Sequence, residues 1–209
     1  MSRFRVNVLM LAAGRSSRMG GPNKLLATFD GVPLIRRSVE TALECGAGRI
    51  VVVVGHQAKE IRAALDGLDV EIVDNPRFLD GLSTSLIAGF ARAADGAEGV
   101  LVMLADQPEL TSDHLYRLIA AFDPAGAGSI VLATGDGKRG NPVILAARLS
   151  EAIAALTGDV GARDIVAPHR ALVLEVEIGA AALLDVDTPE AMAAAGGILP
   201  APHAPPRHS

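Results

Sequence analysis

Small residues and positive charges lie together in the segment VLMLAAGRSSRMGGPNKLL, which occupies residues 8–26. The stretch from Ala13 through Gly14 to Ser16 offers backbone N–H groups that can approach an anion closely, and Arg15, Arg18 and Lys24 add positive charge nearby. A Walker loop needs serine or threonine after its lysine, but leucine follows here, and the glycine spacing of a dinucleotide fingerprint is absent. The segment therefore predicts a polyphosphate-binding loop of another type, although a solvated surface lysine remains an alternative for Lys24.

Two aspartates stand where carboxylates could hold a divalent metal ion. Asp106 follows the apolar run Val100 to Leu104, and open α/β sheets bind ligands at the carboxyl ends of strands. Asp187 is expected to end a strand before a helix, with Asp185 on the same side by alternation. Carboxylates at these places could hold Mg²⁺ against phosphate oxygens. Two alternatives stay open, a turn role for Asp106 and an N-cap role for Asp187 before the helix entered at Pro189.

Three further polar segments could contact a ligand or could serve only the fold. Ser83 to Ser85 open a predicted helix, so capping explains them without a ligand. The segment Arg139 to Pro142 reads as a hairpin entry, yet its arginine and Asn141 could also form a wall for an anionic acceptor. Gly158 to Arg163 reads as a capped helix start, from which Arg163 could contact an acceptor phosphate.

Composition and charge narrow the classes of partner. The formal net charge of -5 does not supply the broad cationic surface that nucleic acids or anionic membranes require, so we expect neither partner. The lone cysteine, Cys45, excludes an intrachain disulfide, a cysteine-based zinc site and an iron–sulfur cluster. The first apolar run is too short for a signal peptide or a membrane span, and we expect a cytoplasmic protein.

Aliphatic runs alternate with amphipathic stretches along the chain, which predicts an α/β fold with a mostly parallel central sheet and helices on both faces. The expected strands are Val6 to Leu11, Ile50 to Val54, Val70 to Val73, Val100 to Leu104, Ile130 to Thr134, Pro142 to Leu145 and Ala171 to Val176. The expected helices are Pro33 to Glu44, Ala58 to Leu65, Ser83 to Ala94, one from Thr111 or Ser112 to Phe122, Leu149 to Leu156, Ala162 to Ala167, and one from Pro189. We expect one domain over 1–199 and a disordered tail over 200–209, where proline and histidine dominate.

Six motifs in order resemble the molybdenum cofactor cytidylyltransferases and their guanylyltransferase relatives. The motifs are LAAGRSSRMGGPNKLL in the first loop, NPRFLDGLSTSLIAGF at 75–90, LADQP at 104–108, RGNPVIL at 139–145, GDVGAR at 158–163 and DVDTPEAM at 185–192. The resemblance covers nearly the whole chain and implies a Rossmann-like nucleotidyltransferase fold. It extends the nucleotide-binding loop back to Leu11 and Ala12, and Ala13 is similar to the cytidylyl branch, where the guanylyl branch has glycine.

The resemblance implies the transfer of CMP from CTP to the phosphate of the molybdenum–molybdopterin cofactor, with release of pyrophosphate. It also implies that Arg18, Lys24 and Asp106 serve catalysis, that Asp106 and Asp187 hold Mg²⁺, and that Ser83 and Ser85 lie near the ribose or base. The pterin acceptor is expected near Asn141, and a client molybdoenzyme or its chaperone is a further expected partner. Two alternatives stay open: GTP, or a sugar or polyol phosphate acceptor, in the same kind of enzyme, and a nucleotide-binding accessory protein without turnover.

Overall fold

The computed structural model describes residues 3–19 and 22–200, apart from the side chains of residues 163 and 164. The strands are β1 (Val6–Ala12), β2 (Thr28–Phe29), β3 (Val32–Pro33), β4 (Ile50–Val54), β5 (Glu71–Asp74), β6 (Gly99–Leu104), β7 (Ile130–Gly135), β8 (Lys138–Ala146) and β9 (Val173–Glu177). The α-helices are α1 (Leu34–Glu44), α2 (Ala58–Ala64), α3 (Leu82–Ala94), α4 (Ser112–Ala121), α5 (Ser150–Ala154), α6 (Ala162–Val166) and α7 (Pro189–Ala194). The predicted tail at 200–209 falls outside the described residues except for its first position.

Seven strands form one sheet in the order β5-β4-β1-β6-β8-β7-β9, and helices cover both of its faces. Strand β1 is buried along its whole length, and its side chains alternate between two apolar cores. Val8 and Met10 belong to the core shared with α1, α2 and α4, whereas Leu9 and Leu11 pack with α3 and α5 on the other face. The predicted α/β fold with a mostly parallel, doubly covered sheet is confirmed.

One strand runs against the others and is longer than the sequence pattern predicts. Strand β8 begins at Lys138, before the predicted start at Pro142, and pairs antiparallel with both β6 and β7. The turn between β7 and β8 passes through Asp136 and Gly137, both with positive φ. Because the first residues of β8 are polar, the pattern of apolar runs does not predict where this strand begins.

The expected strand before the last helix is wrong, because residues 184–187 contain no strand. Asp187 lies in a loop instead, and Val186 N–H donates to the backbone oxygen of Asp106 at 3.1 Å. The N-cap alternative for Asp187 is also wrong, since Thr188 caps α7 by accepting a hydrogen bond from the N–H of Ala191. Neither regular structure nor capping accounts for the position of the Asp187 carboxylate.

Two neighbouring strands bring the first loop and Asp106 together. Strands β1 and β6 pair in parallel, with Leu11 opposite Leu104, so the segments that leave their carboxyl ends emerge side by side. Among the described residues, no helix has the length and apolar character that a membrane crossing requires.

Candidate active site

The loop after β1 is fixed by hydrogen bonds between its two halves. Ser16 adopts a positive φ of 51°, and its hydroxyl accepts a hydrogen bond from the backbone N–H of Lys24 at 3.1 Å. The same hydroxyl donates to Asn23 Oδ1 at 3.4 Å, while Asn23 also caps the following turn by accepting from Leu25 N–H at 3.0 Å. These contacts fix the backbone from which the Lys24 side chain extends.

A cavity of about 770 Å³ opens beside this loop. Leu11 of β1 lines this cavity, and the loop contributes Ala13, Gly14, Arg15, Ser17, Arg18 and Lys24 to its wall. The carboxylates of Asp106, Asp185 and Asp187 line the same cavity. A Cβ atom added to Gly14 would meet nothing within 4 Å, so the backbone there is open to a ligand. The cavity therefore brings open backbone, fixed cations and carboxylates to one place.

Two cations and two carboxylates form a chain of ion pairs in this cavity. The Lys24 ammonium pairs with Asp106 and with Asp187, and the Arg18 guanidinium pairs with the second oxygen of Asp187. The Lys24 and Asp106 side chains are only 14% and 12% exposed, so each is poorly hydrated and depends on its partner. The loop and the two acidic segments are thereby joined through charge.

Asp106, Asp185 and Asp187 each place a carboxylate oxygen within 4.8 Å of the others. Asp106 is buried, Asp187 is half-buried and Asp185 is exposed. The Oδ1 atom of Asp106 is buried without a hydrogen-bond partner in the described part of the chain, although buried oxygens are normally satisfied. Hard oxygen ligands and an unsatisfied oxygen in one cluster fit a divalent cation such as Mg²⁺ or Mn²⁺.

The ion pairs and partial burial set the charge states of this cluster. Burial alone would lower the pKa of Lys24, but the carboxylates of Asp106 and Asp187 outweigh burial, and the pKa lies above its ordinary value. Burial likewise opposes ionisation of Asp187, yet Lys24 and Arg18 hold its pKa below the usual range. Burial, followed by the charges of Asp187 and Asp106, raises the pKa of Asp185. The Lys24 and Asp187 side chains are therefore both charged at neutral pH.

Several residues singled out in the sequence lie away from this cavity wall. Ala12 is buried in the core beneath the loop, and Ser16 supports Lys24 through its hydroxyl. Ser85 lines the cavity, but the Ser83 hydroxyl donates to the backbone oxygen of Gly158 at 2.7 Å and borders a neighbouring cavity.

Asn141 lies in β8 and does not line the cavity. The side chain of residue 163 lies outside the described part of the structure, so the predicted role of Arg163 has no geometry here.

An apolar part of the cavity wall is not predicted by the sequence pattern. Phe78, Leu79 and Leu82 come from the segment between β5 and α3 and line the cavity, with Leu79 65% exposed. Phe78 packs closely over Gly55, where a Cβ atom would lie 2.7 Å from the Phe78 side chain. The apolar residues within the motif NPRFLDGL are the signal by which this part of the wall could have been identified from the sequence.

Comparison with known sequences gives two relatives that overlap most of the chain. Nicotine blue oxidoreductase of Paenarthrobacter nicotinovorans is 33% identical over 163 residues, which cover 76% of this chain and 79% of that protein. Purine catabolism protein PucB of Bacillus subtilis (strain 168) is 30% identical over 204 residues, covering 87% and 91%. The chain also matches bifunctional GlmU proteins, but it spans only 26% to 30% of their length.

Two solved structures share the fold along nearly the whole chain. A nucleotidyl transferase from Methanothermobacter thermautotroptrophicus superposes with a TM-score of 0.80 at 25% identity, covering 92% of this chain and 96% of that one. Rv0371c from Mycobacterium tuberculosis H37Rv, solved in complex with manganese, gives a TM-score of 0.75 at 28% identity, with coverage of 92% and 98%. The family model of the MobA-like NTP transferase domain matches residues 8–173, a span that includes the loop, Lys24 and Asp106. The chain therefore belongs to the MobA-like NTP transferases, a family of nucleotidyltransferases.

Proposed function

We propose that this protein transfers CMP from CTP to the terminal phosphate of the molybdenum–molybdopterin cofactor and releases pyrophosphate. The observation that carries the proposal is the single cavity in which the open loop backbone, Arg18, Lys24 and the carboxylate cluster meet. Nucleotidyl transfer requires groups that bind the triphosphate, groups that neutralise its charge and a cation site beside the phosphates. The loop backbone, the two cations and the carboxylate cluster would supply these in turn. The order and content of the six sequence motifs supply the choice of acceptor.

The chain's own groups would act by positioning and charge. Backbone N–H groups around Gly14 would seat the triphosphate, while Arg18 and Lys24 would neutralise negative charge as pyrophosphate leaves. The raised pKa of Lys24 keeps its ammonium protonated for that task. Asp106 and Asp187 would hold Mg²⁺, whose charge would polarise the α-phosphate and steady the departing pyrophosphate. The acceptor phosphate oxygen is itself the nucleophile, so the reaction needs no nucleophilic side chain.

The remaining assignments rest on placement and resemblance. Ser85 lines the cavity together with the apolar residues Phe78 and Leu82, which suits a nucleoside contact for its hydroxyl. Asn141 and Arg163 are kept as acceptor-side proposals from the motifs, and a client molybdoenzyme or its chaperone would receive the product.

The one cysteine is buried and free, which suits a reducing compartment, so we place the reaction in the cytoplasm.

The preference for CTP is proposed from one position. Ala13 lines the cavity, and its methyl group faces Gly55, where a Cβ atom would lie only 2.9 Å from that of Ala13. Ala13 is 3% exposed, so this packing fixes the course of the loop at the cavity wall, and we propose that the fixed wall favours the smaller pyrimidine base over guanine. The resemblance to the LAAG form of the loop supports the same preference.

The direct experiment incubates the protein with Mg²⁺, each of the four nucleoside triphosphates and molybdenum-loaded molybdopterin, and follows pyrophosphate. Parallel reactions offer sugar phosphates and polyol phosphates as acceptors, which tests the alternative of a different acceptor in the same enzyme class. Because one relative is named nicotine blue oxidoreductase, an assay for redox turnover of nicotine blue serves as a control. Tight CTP binding with no pyrophosphate from any acceptor would favour the accessory protein instead.

A further inference from the structure

The turn at residues 179–182 packs against two glycines of the β7–β8 hairpin without room for a side chain. A Cβ atom on Gly140 would lie 2.0 Å from the backbone oxygen of Ala182, and one on Gly135 would lie 2.3 Å from that of Gly179. Real Cβ atoms do not approach backbone oxygens this closely, so any side chain at either glycine would displace the turn. The glycine of the RGNPVIL motif therefore contacts this turn, and Asn141 beside it does not line the cavity.

Gln107 holds the same turn through hydrogen bonds. Its side chain is buried, with 4% of the residue exposed, and its Nε2 donates to the backbone oxygens of Ala181 and Ala182 at 3.4 Å each. One residue earlier, the Asp106 backbone oxygen accepts from Val186 N–H at 3.1 Å. The segment 181–186 is thus attached at both of its ends to the segment that carries the buried carboxylate.

The amide of Gln107 is not explained by packing alone. Its Oε1 atom is buried and has no hydrogen-bond partner among the residues that the structure describes, which is unfavourable for a polar atom. An apolar side chain of the same size would avoid that unsatisfied oxygen but would lose both bonds to the turn. The gain from the amide is therefore the fixed position of the turn.

We propose that Gln107, Gly135 and Gly140, here called the turn socket, are positioning residues for the carboxylate cluster. Only a few residues separate Ala182 from Asp185 and Asp187, so a displaced turn would move both carboxylates away from Asp106. The socket acts without touching a ligand, and the RGNPVIL motif serves metal-site assembly through Gly140. The inference rests on the proposed function, because it assigns the cluster to a divalent cation.

The test measures Mn²⁺ binding by calorimetry with no nucleotide or acceptor present, in Gly140→Ala and in Gln107→Met. Substitution of a residue that orients a metal ligand typically weakens metal affinity about 10-fold to 100-fold. We therefore expect Mn²⁺ binding to be at least about tenfold weaker in both variants. Gly126→Ala is the matched control, because a Cβ atom there would meet only the Asp123 carboxylate at 3.7 Å. Mn²⁺ affinity equal to that of the unchanged protein in both folded variants would overturn the proposal, above all if the acceptor KM rose instead.

A crystal structure of metal-free Gly140→Ala decides the matter independently of metal binding. We expect the segment 179–187 to shift and Asp187 to separate from Lys24, while Gly126→Ala leaves both in place. An unmoved segment would overturn the turn socket. Failure of the unchanged protein to bind Mn²⁺ would count against the proposed function alone, since the crystal structure would still report whether the socket positions the carboxylates.

Discussion

Replacement of Lys24 by methionine tests how much the ion-pair chain contributes to stability before any ligand binds. Lys24 is the counter-charge of Asp106 and Asp187, and methionine keeps most of its apolar stem while removing the ammonium. Removal of one member of a buried ion pair costs about 3–5 kcal/mol, because the other charge stays buried without compensation. Asp187 is 31% exposed and keeps Arg18 as a partner, so the lower end of that range, about 3 kcal/mol, applies.

The assay is thermal and urea unfolding in the presence of a chelator, at neutral pH. For a chain of 209 residues, about 1 kcal/mol corresponds to about 2–4 °C in Tm, so Lys24→Met should melt about 6–12 °C lower. Lys59→Met is the matched control, because Lys59 is an exposed residue of α2 and its loss should leave Tm almost unchanged.

Manganese adds a second readout to the same comparison. A ligand at about 100 times its Kd stabilises the folded state by about 2.7 kcal/mol. We expect a larger increase in Tm for Lys24→Met than for the unchanged protein, because Mn²⁺ there supplies a missing charge and competes with no ammonium. Equal Tm values for Lys24→Met and the unchanged protein in chelator would refute the reasoning.

Three further predictions address catalysis, selectivity and pH dependence. Asp106→Ala should abolish pyrophosphate release, since loss of a metal-holding carboxylate costs on the order of several kcal/mol of transition-state stabilisation, and near-normal release would contradict the assignment. Ala13→Gly should raise the ratio of kcat/KM for GTP over CTP by about tenfold, the effect of one methyl-sized contact in a pocket, and an unchanged ratio would remove Ala13 from selectivity. The N–H of Gly179 and then the Thr134 hydroxyl hold the pKa of Glu177 below its ordinary 4.5, so this carboxylate stabilises the fold above that pH. Urea unfolding of Glu177→Gln should accordingly show lower stability at pH 7 and a difference that vanishes as pH falls below 4.5 through the folded pKa; a constant difference would be inconsistent with it.

The parts of the fold that could be predicted are those in which local pattern and packing agree. The fully apolar β4 has the bounds that its sequence predicts, and α1 differs from its prediction by one residue at the start. The course of β8 could not be predicted in the same way, because its first residues are polar and its partners β6 and β7 are set by tertiary pairing. The loop at 184–187 resembles a strand in its alternation, yet a contact with Asp106 fixes it instead.

In the candidate site, too, local sequence pattern predicts some features and tertiary contacts determine others. The loop near Gly14 and the acid after β6 could be identified from sequence, since both depend on residue type at a strand end. The hydrogen bond between Ser16 and Lys24 could not, because a positive φ at serine is not visible in composition. The apolar wall at 78–82 and the turn socket depend on contacts between segments that are far apart in the chain. No local sequence pattern predicts such contacts.

Transfer of a nucleotide to a pterin phosphate is tested most directly by identifying the product. The protein is incubated with Mg²⁺, CTP and molybdenum-loaded molybdopterin, and the product is identified by mass spectrometry while pyrophosphate is counted. We predict a molybdopterin cytosine dinucleotide formed with one pyrophosphate per product, and neither species when Asp106→Ala replaces the unchanged protein. Absence of a dinucleotide with all four nucleoside triphosphates, from folded protein that binds them, would contradict the claim.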